Sequence, residues 1–152
     1  MSSYTAPLMW RRIDDRFGFT LTPFEFWCEL DGVRYTVHVP AGTVFNGASI
    51  PRPIQLVFGW DPFDPKWLKA AIVHDSLVAE CGYQAQLITD DGIAITPDWF
   101  LSATVFSEAL RVKQDQHQCP EFNRRAFVGA VRFWGYVTHA RTTEHALGPR
   151  RQ

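Results

Sequence analysis

The sequence predicts an α+β protein: a short antiparallel β-meander on the N-terminal side, then three helices, with a small β-wing between the first two. Three observations predict it. Polar and apolar residues alternate up to Val39 around an Asp-Gly pair, three prolines each open a stretch of helical spacing, and a β-prone run separates the first two of those stretches. In order, Phe17-Gly18-Phe19-Thr20-Leu21 alternates, and after Pro23 the run Phe24 to Leu30 passes through Asp31-Gly32 into Val33 to Val39. Asp-Gly between β-prone runs signals a hairpin, because a primed turn needs positive φ at both central residues. Pro40-Ala41-Gly42 closes the meander, and Thr43 to Pro65 reads as an extended, turn-rich crossing segment.

The helices carry start signals. Asp64-Pro65 supplies a cap and a first-turn proline for Lys66 to Cys81, which stops at Gly82. Thr96-Pro97 repeats that start, with Asp98 in the first turn and a helix to about Gln114, and Pro120 opens a third helix ending near Thr138. Gln86 to Ile95 is the wing. The 152 residues are expected to form one domain, with residues 1–141 as folded core and a polar, terminally basic tail over 142–152.

Composition bounds the function. An apolar fraction of 46% with 20% charged residues is that of a folded globular chain, whereas 14% aromatic residues, six of them Trp and twelve Phe, points to a dense core or a partner surface. Fifteen basic residues against sixteen acidic ones give a net charge of −1, and no field to draw in nucleic acid. Cys28, Cys81 and Cys119 have neither disulfide-framework nor zinc spacing and suit a reducing compartment. No signal-peptide core and no membrane span is expected, so the protein is placed in the cytoplasm on synthesis.

One constellation carries chemistry. On the first helix Trp67, Ala70, Ala71, His74, Leu77, Val78 and Cys81 share a face by three- and four-residue spacing, which puts His74 on the apolar side with Asp75 about 100° round the axis. Antiparallel packing of the second helix would bring Asp98 toward His74. A buried imidazole held by a carboxylate is the orienting half of a general base; the alternative is a satisfied core histidine beside a first-turn acid. Asn46-Gly47 and Ser49 read as turn chemistry. Ser49 lacks the G-x-S-x-G elbow of a nucleophile, and Arg52 either pairs with Asp75 or Asp98 or is solvated. His38, His117, His139 and His145 share no ligand spacing, so no metal site is expected from them.

The segment Val39-Pro40-Ala41-Gly42-Thr43-Val44-Phe45-Asn46-Gly47-Ala48-Ser49-Ile50-Pro51-Arg52-Pro53, then Ala70-Ala71-Ile72-Val73-His74-Asp75-Ser76-Leu77, Asp98-Trp99-Phe100 and Phe127 to Gly135, resembles a family of uncharacterised phage and prophage proteins. The resemblance implies an origin in a bacteriophage or prophage and does not supply a function. Two positions depart from its pattern. Asn46 stands where the family carries an acid, and Val78 where an aromatic follows His-Asp-x-Leu. Loss of the carboxylate weakens a multi-carboxylate cation site. Lys66 to about Val112 also resembles the secreted phospholipases of the His-Asp type in arrangement. That likeness implies His74 as general base, Asp75 as calcium carboxylate and Asp98 as orienting acid, but the chain lacks those enzymes' disulfides and glycine-rich calcium loop.

Two functions follow as expectations. The first is a virion or tail-assembly protein acting through contacts with other phage structural proteins or itself. The second is a hydrolase of a bacterial envelope component, with His74, Asp75 and Asp98 in the catalytic roles and Asn46, Ser49 and Arg52 at the binding mouth. No cofactor is expected for either, a divalent cation being the sole one left open, and no nucleic acid.

Overall fold

The computed structural model describes residues 1–48, 52–112 and 118–146. The chain is α+β, with strands β1 (Ser2–Tyr4), β2 (Trp10–Arg12), β3 (Gly18–Thr20), β4 (Phe24–Leu30), β5 (Val33–Val39) and β6 (Val44–Phe45) first. Helices α1 (Arg52–Phe58) and α2 (Leu68–Leu77) follow, then strands β7 (Leu87–Thr89) and β8 (Ala94–Ile95), then helices α3 (Trp99–Arg111) and α4 (Glu121–Ala146).

The strands form two antiparallel sheets, one ordered β1-β4-β5-β7-β8 and one ordered β2-β3-β6. The β4–β5 hairpin closes with Leu30 opposite Val33 and with φ of 52° at Asp31 and 77° at Gly32, the turn expected from Asp-Gly. Phe24, Phe26 and Cys28 alternate inward on β4 and meet inward Val37 and Val39 of β5, with Phe26 opposite Val37 and Phe24 opposite Val39.

The expected meander is divided: β3 pairs with β2 and β6, not with β4. The wing is no separate ribbon, because β7 adds to the edge of β5 with Tyr35 opposite Thr89. Among the described residues four helices stand where three are expected. Arg52–Phe58 is helical within the stretch read as extended, since Pro53 in its first turn forgoes an N–H that has no helical partner there.

All ten residues of α2 are buried, Lys69, His74, Asp75 and Ser76 among them, so the helix is enclosed around its circumference and not on one face. The Asp64 signal works one turn ahead of the helix proper: its Oδ1 accepts from Lys66 N at 2.8 Å and its carbonyl from Leu68 N at 3.0 Å. Buried Lys69 donates from Nζ to the Ala6 carbonyl and sits 4.3 Å from the Tyr4 ring, lashing α2 to the N-terminal strand segment. Tyr4 Oη donates to the Ala109 carbonyl at 3.1 Å and Trp99 Nε1 to the Val131 carbonyl at 2.9 Å, joining α3 to β1 on one side and to α4 on the other.

Helix α4 runs to Ala146, eight residues past its expected end at Thr138, so the first part of the stretch read as a tail is helical, while residues 147–152 lie outside the described residues. It buries Phe127 and Val128, yet Phe122, Phe133, Trp134 and Tyr136 stand between 62% and 76% exposed. Phe122, Gly129, Phe133 and Tyr136 recur at helical spacing on the face opposite the buried one. A side chain at Gly129 would meet nothing.

Candidate functional site

Helix α2 delivers His74 and Asp75 into the interior at 8% and 5% exposure. His74 Nδ1 lies 3.8 Å from Asp75 Oδ1. The imidazole stands edge-on to Trp99 with centroids 5.6 Å apart, and tilted against Phe106 at 5.1 Å. Its Nε2 is buried and has no hydrogen-bond partner among the described residues.

Asp75 is tied to the β6–α1 loop. Its Oδ2 accepts from Asn46 N at 3.4 Å, and, with the Asn46 amide oriented so that its nitrogen faces the acceptors, from Nδ2 at 3.0 Å. That same Nδ2 donates to the Gly47 carbonyl at 3.0 Å. Burial pushes the Asp75 carboxyl above the ordinary carboxylate range, against the opposing pull of His74 and the Asn46 N–H.

A third neighbour escaped the sequence reading. Burial, with Asp75 and Glu80 nearby, pushes the Cys81 thiol up to about 11. Cys81 shares a helical face with His74 in the sequence, but its nearness to Asp75 comes from the fold.

Asp98 does not join this cluster. It is the N-cap of α3: Oδ1 accepts from Leu101 N at 2.7 Å, and its carbonyl takes Ser102 Oγ at 2.8 Å and Ser102 N at 3.0 Å. The expected His74–Asp98 hydrogen bond is therefore replaced by a cap, because α3 starts one residue after Asp98 and turns its carboxylate onto its own first turn. Asp98→Ala should accordingly cost about 0.5–2 kcal/mol as a lost cap, while the His74 imidazole resonances stay in place. Moved His74 resonances would show that the two side chains are coupled after all.

The candidate residues also face different spaces. Asn46 and Ala48 line a cleft of about 830 Å³ with Arg12, Arg16, Trp60 and Phe63. Asp98 lines a hollow of about 450 Å³ with Leu77, Gln84, Trp99 and Phe100. His74 lines neither. Ser49 and the Arg52 side chain lie outside the described residues. Among the described residues no group of three or more His, Cys, Asp or Glu side chains is placed to hold a metal ion, and no helix is long and apolar enough to cross a membrane.

The raised Asp75 carboxyl carries a signed consequence for stability. A carboxyl that holds its proton more tightly in the folded chain contributes stability fully present below its unfolded value, about 3.9, and lost as pH rises through the folded value. Urea unfolding of parent and Asp75→Asn should show an extra loss in the parent as pH climbs through that window. Comparing the two proteins cancels the opposite slopes of Asp14 and Glu121, whose carboxyls are held low by the Arg16 and Phe17 N–H groups and by Arg124 and Arg125 respectively. Parallel pH profiles would show that Asp75 titrates alike folded and unfolded.

A folded chain with two antiparallel sheets around a buried His-Asp helix is the class that fold and site define. Residues 23–120 match the family described as Protein of unknown function (DUF1353), and the chain belongs to that family. No curated protein and no solved structure matches it.

Proposed function

We propose that the protein is an interaction component of a bacteriophage or prophage particle, entering the virion or tail through contacts with other structural proteins of the particle or with its own copies. One contrast carries the reading: His74 and Asp75 are buried and the aromatic face of α4 is open. His74 keeps Nε2 buried, whereas Phe122, Phe133 and Tyr136 present large apolar surface on the outer face of α4. A helix that already buries Phe127 and Val128 gains nothing for its own fold from a second apolar face, and contiguous exposed apolar surface marks a partner site. The phage setting rests on the resemblance of the Val39 to Pro53 and Ala70 to Leu77 segments. On this reading the chain is in the host cytoplasm during synthesis and in the particle afterwards.

In this reading Asn46 and Asp75 lock the β6–α1 loop onto α2 beside His74, since hydrogen-bonded buried polar groups give specificity without catalysis. One observation favours the hydrolytic alternative: Asn46, bonded to Asp75, lines the larger cleft. In that reading His74 would be the base, Asp75 its neighbour or the ligand of a divalent cation, and a bacterial envelope component the substrate.

Particle assembly and hydrolysis of purified envelope separate the two. Phe133→Asp combined with Tyr136→Asp should lower incorporation into particles about tenfold or more, as expected for loss of central apolar anchors, while His74→Gln assembles as the parent does. Normal assembly of the α4 variant, or envelope hydrolysis present in the parent and lost in His74→Gln, would overturn the interaction reading.

A further inference from the structure

Two arginines, Arg12 and Arg16, line the larger cleft. The β2–β3 hairpin loop is fixed from within: Asp14 Oδ1 accepts from Arg16 N at 2.7 Å and Phe17 N at 2.8 Å, and Ile13 N donates to the Phe17 carbonyl at 2.9 Å. This loop sets Arg12 and Arg16 on one wall of the cleft. The Arg12 guanidinium lies 4.4 Å from the Phe63 ring centre, and that ring stacks on Trp10 at 5.5 Å with 11° between planes. Arg12 Nε is engaged by the Asp14 carbonyl at 3.1 Å. One edge is thereby anchored and the plane fixed, leaving the terminal nitrogens. Among the described residues neither Arg12 nor Arg16 forms an ion pair with a carboxylate, unlike Arg111, Arg124 and Arg125.

Trp60 adds an apolar surface to the lining. Trp60 packs on Trp67 at 6.0 Å and on Phe127 at 5.0 Å. Among the described residues Asp15 and Asp61 are the acids on the lining.

We propose that this cleft binds a carboxylate carried on an apolar body. A planar, stacked guanidinium matches the two oxygens of a carboxylate, and Trp60 with Phe63 provides the apolar bed. Repulsion from Asp15 and Asp61 grows with the charge of the ligand, so it opposes a phosphate dianion more than a singly charged carboxylate. The same chemistry comes from two sources, the C-terminus of a polypeptide and a free small acid. The site includes neither the outer face of α4 nor His74, and it adjoins the His74 cluster through Asn46.

The test follows arginine Nε and tryptophan indole N–H resonances of the full chain on titration with hippurate and with N-acetyl-Ala-Leu-Phe, each as acid and as amide. Both acids should shift the Arg12 and Trp60 signals, with the amides about tenfold weaker or worse, as expected for loss of a charge-assisted pair. Arg12→Met and Arg16→Met, at exposed positions that leave the core intact, should each weaken the acids by about tenfold, whereas Arg34→Met, whose guanidinium lies over Trp27, should not. Tighter binding of the peptide acid identifies a chain terminus and equal binding a small acid, and either result upholds the site. Acids and amides binding alike, no shift with either acid, acid binding that survives loss of both arginines, or phenyl phosphate binding more tightly than the acids would overturn it.

Discussion

Phe45→Ala should lower the unfolding free energy by about 3–5 kcal/mol, the largest loss expected from a single side chain near the site. Phe45 is fully buried and stands edge-on to Trp10 at 5.7 Å and tilted to Phe63 at 6.3 Å. Its place is made by Gly18, its register partner on β3, where an added Cβ would come within 2.9 Å of the Phe45 ring. Truncation removes the transfer energy of the ring and leaves a cavity walled by aromatics that a β-bridge holds in place, so collapse is restricted. Because Asn46 follows directly, the variant should also loosen the Asn46–Asp75 contact. Urea unfolding measures the first effect and amide exchange at Asn46 the second. A loss below about 1 kcal/mol would mean that the small sheet can close over the gap.

Gly47→Ala is expected to cost about 2–4 kcal/mol, combining backbone strain and close approach with one lost hydrogen bond. Gly47 has φ of 75°, where a Cβ is disfavoured, and that Cβ would stand 2.8 Å from the Pro62 carbonyl oxygen. The same oxygen accepts the Ala48 N–H at 2.9 Å, so relieving the clash breaks the bond. Gly42→Ala is the control. It also has positive φ, at 81°, but nothing lies within 4 Å of its added Cβ, so strain alone remains. Equal losses at the two positions would refute the close approach at Pro62.

What the sequence made legible was local. Asp31-Gly32 declares its hairpin because the turn conformation is set by those two residues, and prolines 97 and 120 sit just ahead of α3 and α4. The pairings that divide the strands into two sheets join residues far apart in the chain, such as Gly18 with Phe45 and Tyr35 with Thr89, and no periodicity encodes them. Helix α1 was concealed by its own punctuation, since Pro53 breaks a helix interior yet is tolerated in a first turn.

The candidate site was half legible. The His74-Asp75 pair and its burial follow from apolar spacing on α2. The role of Asp98 depended on a boundary: as a first-turn residue it could have faced its neighbour, but as the cap it must face its own helix. Asn46 was read as a turn former, and its grip on Asp75 is visible only when β6 is placed beside α2. Arg12 and Arg16 meet the Trp60 segment only across the fold.

The central claim is that His74 belongs to a closed cluster and not to an open catalytic centre. Carbethoxylation by diethyl pyrocarbonate, followed residue by residue in the folded protein by mass spectrometry, tests it most directly. The His38 side chain, 54% exposed, is the internal standard for His74 at 11%. A closed cluster predicts that His74 reacts at least roughly tenfold more slowly than His38, its modification waiting on local opening. Reaction of His74 at the rate of His38 would contradict the account and restore its imidazole as a general base within reach of a substrate.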